Sequence, residues 1–289
     1  DEDKTIKCSA VDGTIDLTGT GDVFEANHVG SLVLLTPTDY TEIPLWTGNT
    51  SVAVGQLMRY GENIYELTSG TTTGVNPPIH LSGEQFYNLG TDAAGSAANS
   101  AQDILKYGFL DDTGFDTELD EDGSQNGTRW LFRSDSTGII RITAVTDANT
   151  ATAEVLKTLP PPCVDDPTYR WSEGAWSTRH GYPSAIELAQ QRLWAAATPD
   201  DPRTVWFSAI GGFSHLEPGS NADDAGAYVI DGSESQNGIN WIRRGRKGVY
   251  IGALGEVCRV YSPDNSVVVG PTSFKAEVEA TDGCTTARP

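Results

Sequence analysis

Apolar and polar residues alternate along 11–35, VDGTIDLTGTGDVFEANHVGSLVLL, around Gly-Asp turns. A period of two sends successive side chains to opposite faces, so this stretch predicts strands with one buried and one wetted face. The alternation returns at 129–160, RWLFRSDSTGIIRITAVTDANTATAEVLKTLP, and predicts three strands with turns at 135–138 and 147–150. Residues 1–45 and 129–160 then read as two parts of one small β-barrel or sandwich, with 46–128 inserted between them. The insertion opens with WTGNTSVAVGQLMRYGENIYELTSGTTTGVNPP, where a Gly-Glu-Asn turn joins a strand ending at Tyr60 to one beginning near Tyr65. It runs on into a small, polar, acidic stretch, 91–127, whose low apolar content predicts a loop with one helical turn at 100–107.

A proline-rich hinge, LPPPCVDDP at 159–167, marks a domain boundary, and 161–289 read as a second domain. Within it AIELAQQRLWAAA is rich in helix formers. The Gly-Tyr-Pro before it and the turn followed by a Val/Trp/Phe strand after it, TPDDPRTVWFSAI, favour a hairpin instead. Residues 238–263, GINWIRRGRKGVYIGALGEVCRVYSP, predict three short strands, INWI, GVYIGAL and EVCRVYS, with turns at 244–247 and at Gly255. Such a meander is one blade of a propeller or one sheet of a sandwich. The fold class expected throughout is all-β.

Composition agrees: 31 Gly and 15 Pro in 289 residues suit many short strands joined by turns. A formal net charge of -21 repels nucleic acid and anionic membrane on average, which argues against a DNA-coating role. The same sign suits a surface along which DNA slides without sticking, or a soluble protein of a salty environment. Cys8, Cys163, Cys258 and Cys284 are far apart and form no CxxC pair, so they read as thiols. Apolar runs such as LVLL are too short to span a bilayer, and with no initiator Met and a last stretch GCTTARP the chain reads as a piece of a longer one.

Candidate chemistry is sparse. His28, His80, His180 and His215 show no zinc-binding spacing, and no GxSxG elbow, phosphate-binding loop or dinucleotide fingerprint occurs, so no cofactor is implied. Forty acidic residues leave a carboxylate pair for sugar hydrolysis open as a class. Asp120 and Asp122, before Gly123, form an incomplete calcium-loop pattern without a closing Glu, against which stands a solvated acidic loop. RRGRK, with Arg243, Arg244, Arg246 and Lys247, is a dense basic cluster that suits DNA phosphates or an acidic face of a neighbouring subunit, against which stands an exposed hairpin turn. Trp46, Tyr60 and Tyr65 offer flat apolar faces for stacking on sugar rings, or the core of a small module.

In the second half, WSEGAWSTRHGYPSAIELAQQRLWAAATPDDPRTVWFSAIGGFSHL resembles the tail nozzle, or tail tubular B-type, proteins of short-tailed bacteriophages. The series runs Trp171 to Ser177, Arg179 with Gly181 to Pro183, Gln191 to Trp194, and Thr204 to Ser208, with His180 inserted between Arg and Gly. ADDAGAYVI, INWI and GVYIGALGEVCRV extend the likeness, as do GDVFEANHVGSLVLL and GIIRITAVTDANTATAEVLKTLP upstream. The resemblance implies a virion structural protein with no covalent chemistry. Its fold would be a small β domain followed by part of a propeller-like domain. It would assemble in the host cytoplasm into a hexameric ring at the tail's distal end, beside adaptor and fibre or needle proteins, and DNA would pass through it. Within the insertion, WTGNTSVAVGQLMRYGENIYELTSG and then NPP resemble chitin-binding carbohydrate-binding modules, with Trp46, Tyr60 and Tyr65 at the aromatic positions, which implies contact with a host-surface glycan. The tryptophan that closes that pattern is missing before Trp130. Trp194 and Trp206, on expected neighbouring strands, suit core packing better than ligand stacking.

Overall fold

In TIDLTGT the Ile15 and Leu17 side chains are buried while Asp16 and Thr18 are exposed, as the alternation requires. The computed structural model describes residues 2–74, 77–88, 127–219, 221–229, 238–263 and 268–286, and it is all-β, built of antiparallel sheets. It divides into two compact units, residues 1–174 and 175–289.

The described residues of the first unit carry β1 (Thr5–Cys8), β2 (Thr14–Thr20), β3 (Leu32–Leu35), β4 (Leu57–Tyr60), β5 (Asn63–Ser69), β6 (Glu84–Asn88), β7 (Gly127–Ser134), β8 (Gly138–Asp147), β9 (Thr150–Lys157) and β10 (Trp171–Glu173). One sheet has the order β1-β2-β9-β8-β3-β10. Register shifts between β8 and β9 curl it into a half-barrel around Ile15, Leu17, Leu35, Ile140, Ile142 and Ala153. A one-turn helix, Pro162–Asp165, drops Cys163 into the same core. The second sheet, β4-β5-β7-β6, is the insertion, packed around Met58, Tyr65, Leu67 and Trp130.

Two expected boundaries shift. β7 pairs with β5 and β6, so the inserted sheet runs on through Ser134 instead of ending at 128. Residues 161–174 belong to the first unit: β10 pairs with β3, the Trp171 indole donates to the Lys4 carbonyl at 2.9 Å, and Ser31 Oγ donates to Glu173 Oε1 at 2.6 Å. The start of the WSEGAWS stretch thus ties the chain back to its first strands before the second unit begins. The expected helical turn at 100–107 lies outside the described residues.

The second unit carries two meanders. β11 (Ala185–Ala189), β12 (Arg192–Ala196), β13 (Thr204–Phe207) and β14 (Gly226–Val229) form one sheet in sequence order. β15 (Ile239–Gly245), β16 (Gly248–Ala253), β17 (Val257–Tyr261) and β18 (Lys275–Ala280) form the next. Helix propensity in AIELAQQRLWAAA yields to a two-residue hairpin, with Gln190 and Gln191 at φ +53° and +59° between the paired Ala189 and Arg192. Two positive φ values in succession define a type I′ turn, whose twist matches that of the strands it joins. Trp194, Val205 and Phe207 from the first meander pack with Ile242, Val249, Ile251 and Val260 from the second, and the first strands β11 and β15 lie against each other.

The Arg192 side chain is fully buried within this unit. Its guanidinium stacks on Phe207 at 5.2 Å and donates to the carbonyls of Ser208, Ala222 and Asp224 at 2.5, 2.7 and 2.6 Å. It therefore fastens the chain connecting β13 to β14. Tyr228 and Phe274 stack at 3.9 Å beside it and carry the aromatic contact from one sheet to the other.

Candidate functional site

The basic cluster takes shape from the pairing of β15 with β16. Their register closes at Gly245 opposite Gly248, which puts Arg246 and Lys247 alone at the hairpin tip. Both glycines are required: a Cβ at Gly245 would sit 2.2 Å from the Tyr250 ring, and Gly248 adopts φ +144° with the Val260 carbonyl 2.3 Å from where its Cβ would be. The exposed turn expected at this point is therefore present.

The four cations are neighbours with different surroundings. Arg243 Nη1 lies 3.7 Å from Glu187 Oε2 on β11. Arg244, Arg246 and Lys247 are exposed and form no ion pair among the described residues. A cavity of about 560 Å³ opens beside them, lined by Glu187, Trp241, Arg243, Arg244 and Tyr250. A second recess, about 290 Å³, is lined by Leu188, Gln190, Gln191, Phe213, Arg244 and Gly245. Leu188 is 56% exposed and Phe213 50%, so the recess has an apolar floor open to solvent. The walls hold guanidinium groups, amides and apolar side chains and a single carboxylate engaged by Arg243, which suits binding an anionic group. The density of RRGRK in an acidic chain made the cations legible. Leu188 and Phe213 carried no signal, because only the two-residue hairpin and the loop after Gly212 bring them beside Arg244.

Trp46, Tyr60 and Tyr65 do not form one exposed platform. Tyr65 is fully buried, and its hydroxyl donates to the His80 carbonyl at 2.9 Å. A register shift between Ile64 and Tyr65 lets both consecutive side chains be covered. Trp46 is half-buried and packs edge-on against Trp130 of the module's core at 4.9 Å. Tyr60, at the end of β4, is 47% exposed. The expected sugar-stacking set is thus split into one core tyrosine, one half-buried tryptophan packed against that core and one surface tyrosine, because a small sheet has few other large side chains with which to fill its interior.

Asp120 and Asp122 lie outside the described residues, and among the described ones no group of three or more His, Cys, Asp or Glu is placed to hold a metal ion. Three of the histidines serve the scaffold, and His215 is exposed. His28 Nδ1 accepts the Glu25 N–H at 2.8 Å, with Nε2 facing Glu173 at 3.6 Å, and His180 pairs with Asp200 at 2.7 Å. His80 is buried, and loss of water lowers its pKa. All four cysteines are thiols, and burial pushes Cys8, Cys163 and Cys258 up to about 12, far from a reactive thiolate at neutral pH. The chain matches no known family model and no curated protein.

Proposed function

We propose that the protein is a structural component of a bacteriophage tail, one subunit of a ring-shaped nozzle through which the genome leaves. The observation that carries this reading is where the recurring motif residues sit. Gln191 to Trp194 form the first hairpin turn and the buried Arg192–Trp194 anchor, and Thr204 to Ser208 supply β13 with its core side chains Val205 and Phe207. The residues that carry this part of the likeness to nozzle proteins therefore build the turn and the central strands of the first meander. In this role they are asked to hold a wall rather than to carry out covalent chemistry.

The charge balance fits the same role. A wall that carries like charge avoids trapping a polyanion whose passage must be fast, and 40 acidic against 19 basic residues supply that sign. Ring closure would be heterologous, one face of each subunit meeting a different face of the next until the rotation completes. Electron microscopy of the full-length protein, alone and on tail complexes, tests the proposal. A six-fold ring with a central channel supports it, and a monomer that never joins a tail refutes it.

A further inference from the structure

We infer that the recess between the β11–β12 and β15–β16 hairpins is a docking site for an acidic peptide segment bearing apolar anchors, and that its occupant is residues 111–122 of a second copy of this chain. The recess combines two chemistries that seldom share one small surface. Leu188 and Phe213 offer an apolar floor at 56% and 50% exposure, and Arg244, at its wall, leads to Arg246 and Lys247 at the tip. Those three cations have no ion-pair partner among the described residues, in a chain where acids outnumber bases two to one.

A phosphate backbone would satisfy the cations but leave Leu188 and Phe213 against water, since phosphate contacts bury no apolar surface. A peptide with acids alone would do the same. Aromatic, aliphatic and arginine side chains clustered around a pocket are instead the composition of a protein contact centre. The sequence holds one stretch with the complementary pattern: DDTGFDTELDED, 111–122, has seven acidic residues in twelve, with Phe115 and Leu119 four apart. It stands outside the described residues, so the match is one of side-chain chemistry. Its two apolar side chains suit the Leu188–Phe213 floor and its carboxylates suit Arg244, Arg246 and Lys247, which gives a contact between unlike surfaces of two copies. The contact stands apart from the tail reading, since a chain that never enters a tail would associate through it.

Two measurements on the full chain test it. In fluorescence anisotropy, a labelled peptide of residues 109–123 binds, and binding weakens at least about tenfold in the Arg244→Ser/Arg246→Ser/Lys247→Ser variant and in Phe213→Ser, each an exposed position whose change leaves the fold intact. A peptide with Phe115→Ser and Leu119→Ser keeps its charge and loses at least about the same factor. In sedimentation velocity the unmodified chain associates with rising concentration, and either the triple variant or Phe115→Ser/Leu119→Ser abolishes it. Self-association that depends on both halves supports the site even where the added peptide finds it already filled. The inference is overturned if neither binding nor association occurs, if the charge-only peptide binds as well as the native one, or if a 30-base-pair DNA duplex displaces the peptide at lower concentration than unlabelled peptide does.

Discussion

Arg192 shows how much one side chain can hold. Its guanidinium meets four carbonyls of the β13–β14 connection and lies under Phe207, and none of it reaches water. Arg192→Ala strands those carbonyls in the interior, and the second unit should lose about 3–5 kcal/mol in urea unfolding. Arg192→Lys should recover less than half of this, because an ammonium lacks the planar fork that reaches several acceptors at once. His80 gives a pH signature of opposite origin. Its folded pKa lies below the ordinary 6.5, so at falling pH the unfolded chain takes up a proton that the folded one refuses. Stability is therefore flat above the ordinary histidine range and declines as pH drops through it, and thermal melts from pH 7.5 to 5 should show a slope that His80→Gln reduces. The thiols sort the same way by burial. Cys284 should react with an aromatic disulfide reagent in the native protein, whereas Cys8, Cys163 and Cys258 should react only after denaturation.

At the scale of elements, a strand announces itself wherever one face is wet, as in TIDLTGT, and the preference for a hairpin over a helix in AIELAQQRLWAAA holds because the residues around it demand turns. What local pattern does not state is which strand pairs with which. RWLFRS alternates like its neighbours but joins the inserted sheet, and Trp171–Glu173 pairs with Leu32–Leu35 because that edge was open, a long-range choice with no local mark. The basic tip was legible as a cluster and its apolar neighbours were not, for the same reason. Gln190 and Gln191 are a poor fit to their own turn, since both hold the left-handed conformation that Asn and Gly adopt at little cost. Gln190→Asn with Gln191→Gly should raise the stability of the second unit by about 1 kcal/mol, read as a higher urea midpoint at unchanged slope.

For the whole molecule, the division into two compact units decides how it unfolds. Leu17, Ile140 and Leu159 belong to one buried cluster in the first unit, and Trp194, Phe207 and Ile251 to another in the second, with no residue common to both. Cooperativity follows shared packing, so two compact units whose cores share no member should melt as two transitions rather than one. Differential scanning calorimetry distinguishes them by perturbation. Phe207→Ala removes a ring that touches Trp194, Tyr228 and Phe274, at a cost of about 3–5 kcal/mol, and should lower one transition while leaving the other in place. Ile140→Ala, in the half-barrel, should move only the other, by about 2–5 kcal/mol. A single transition shifted by both substitutions would mean that the two units fold as one, and the stability of the two meanders would then depend on the half-barrel that precedes them.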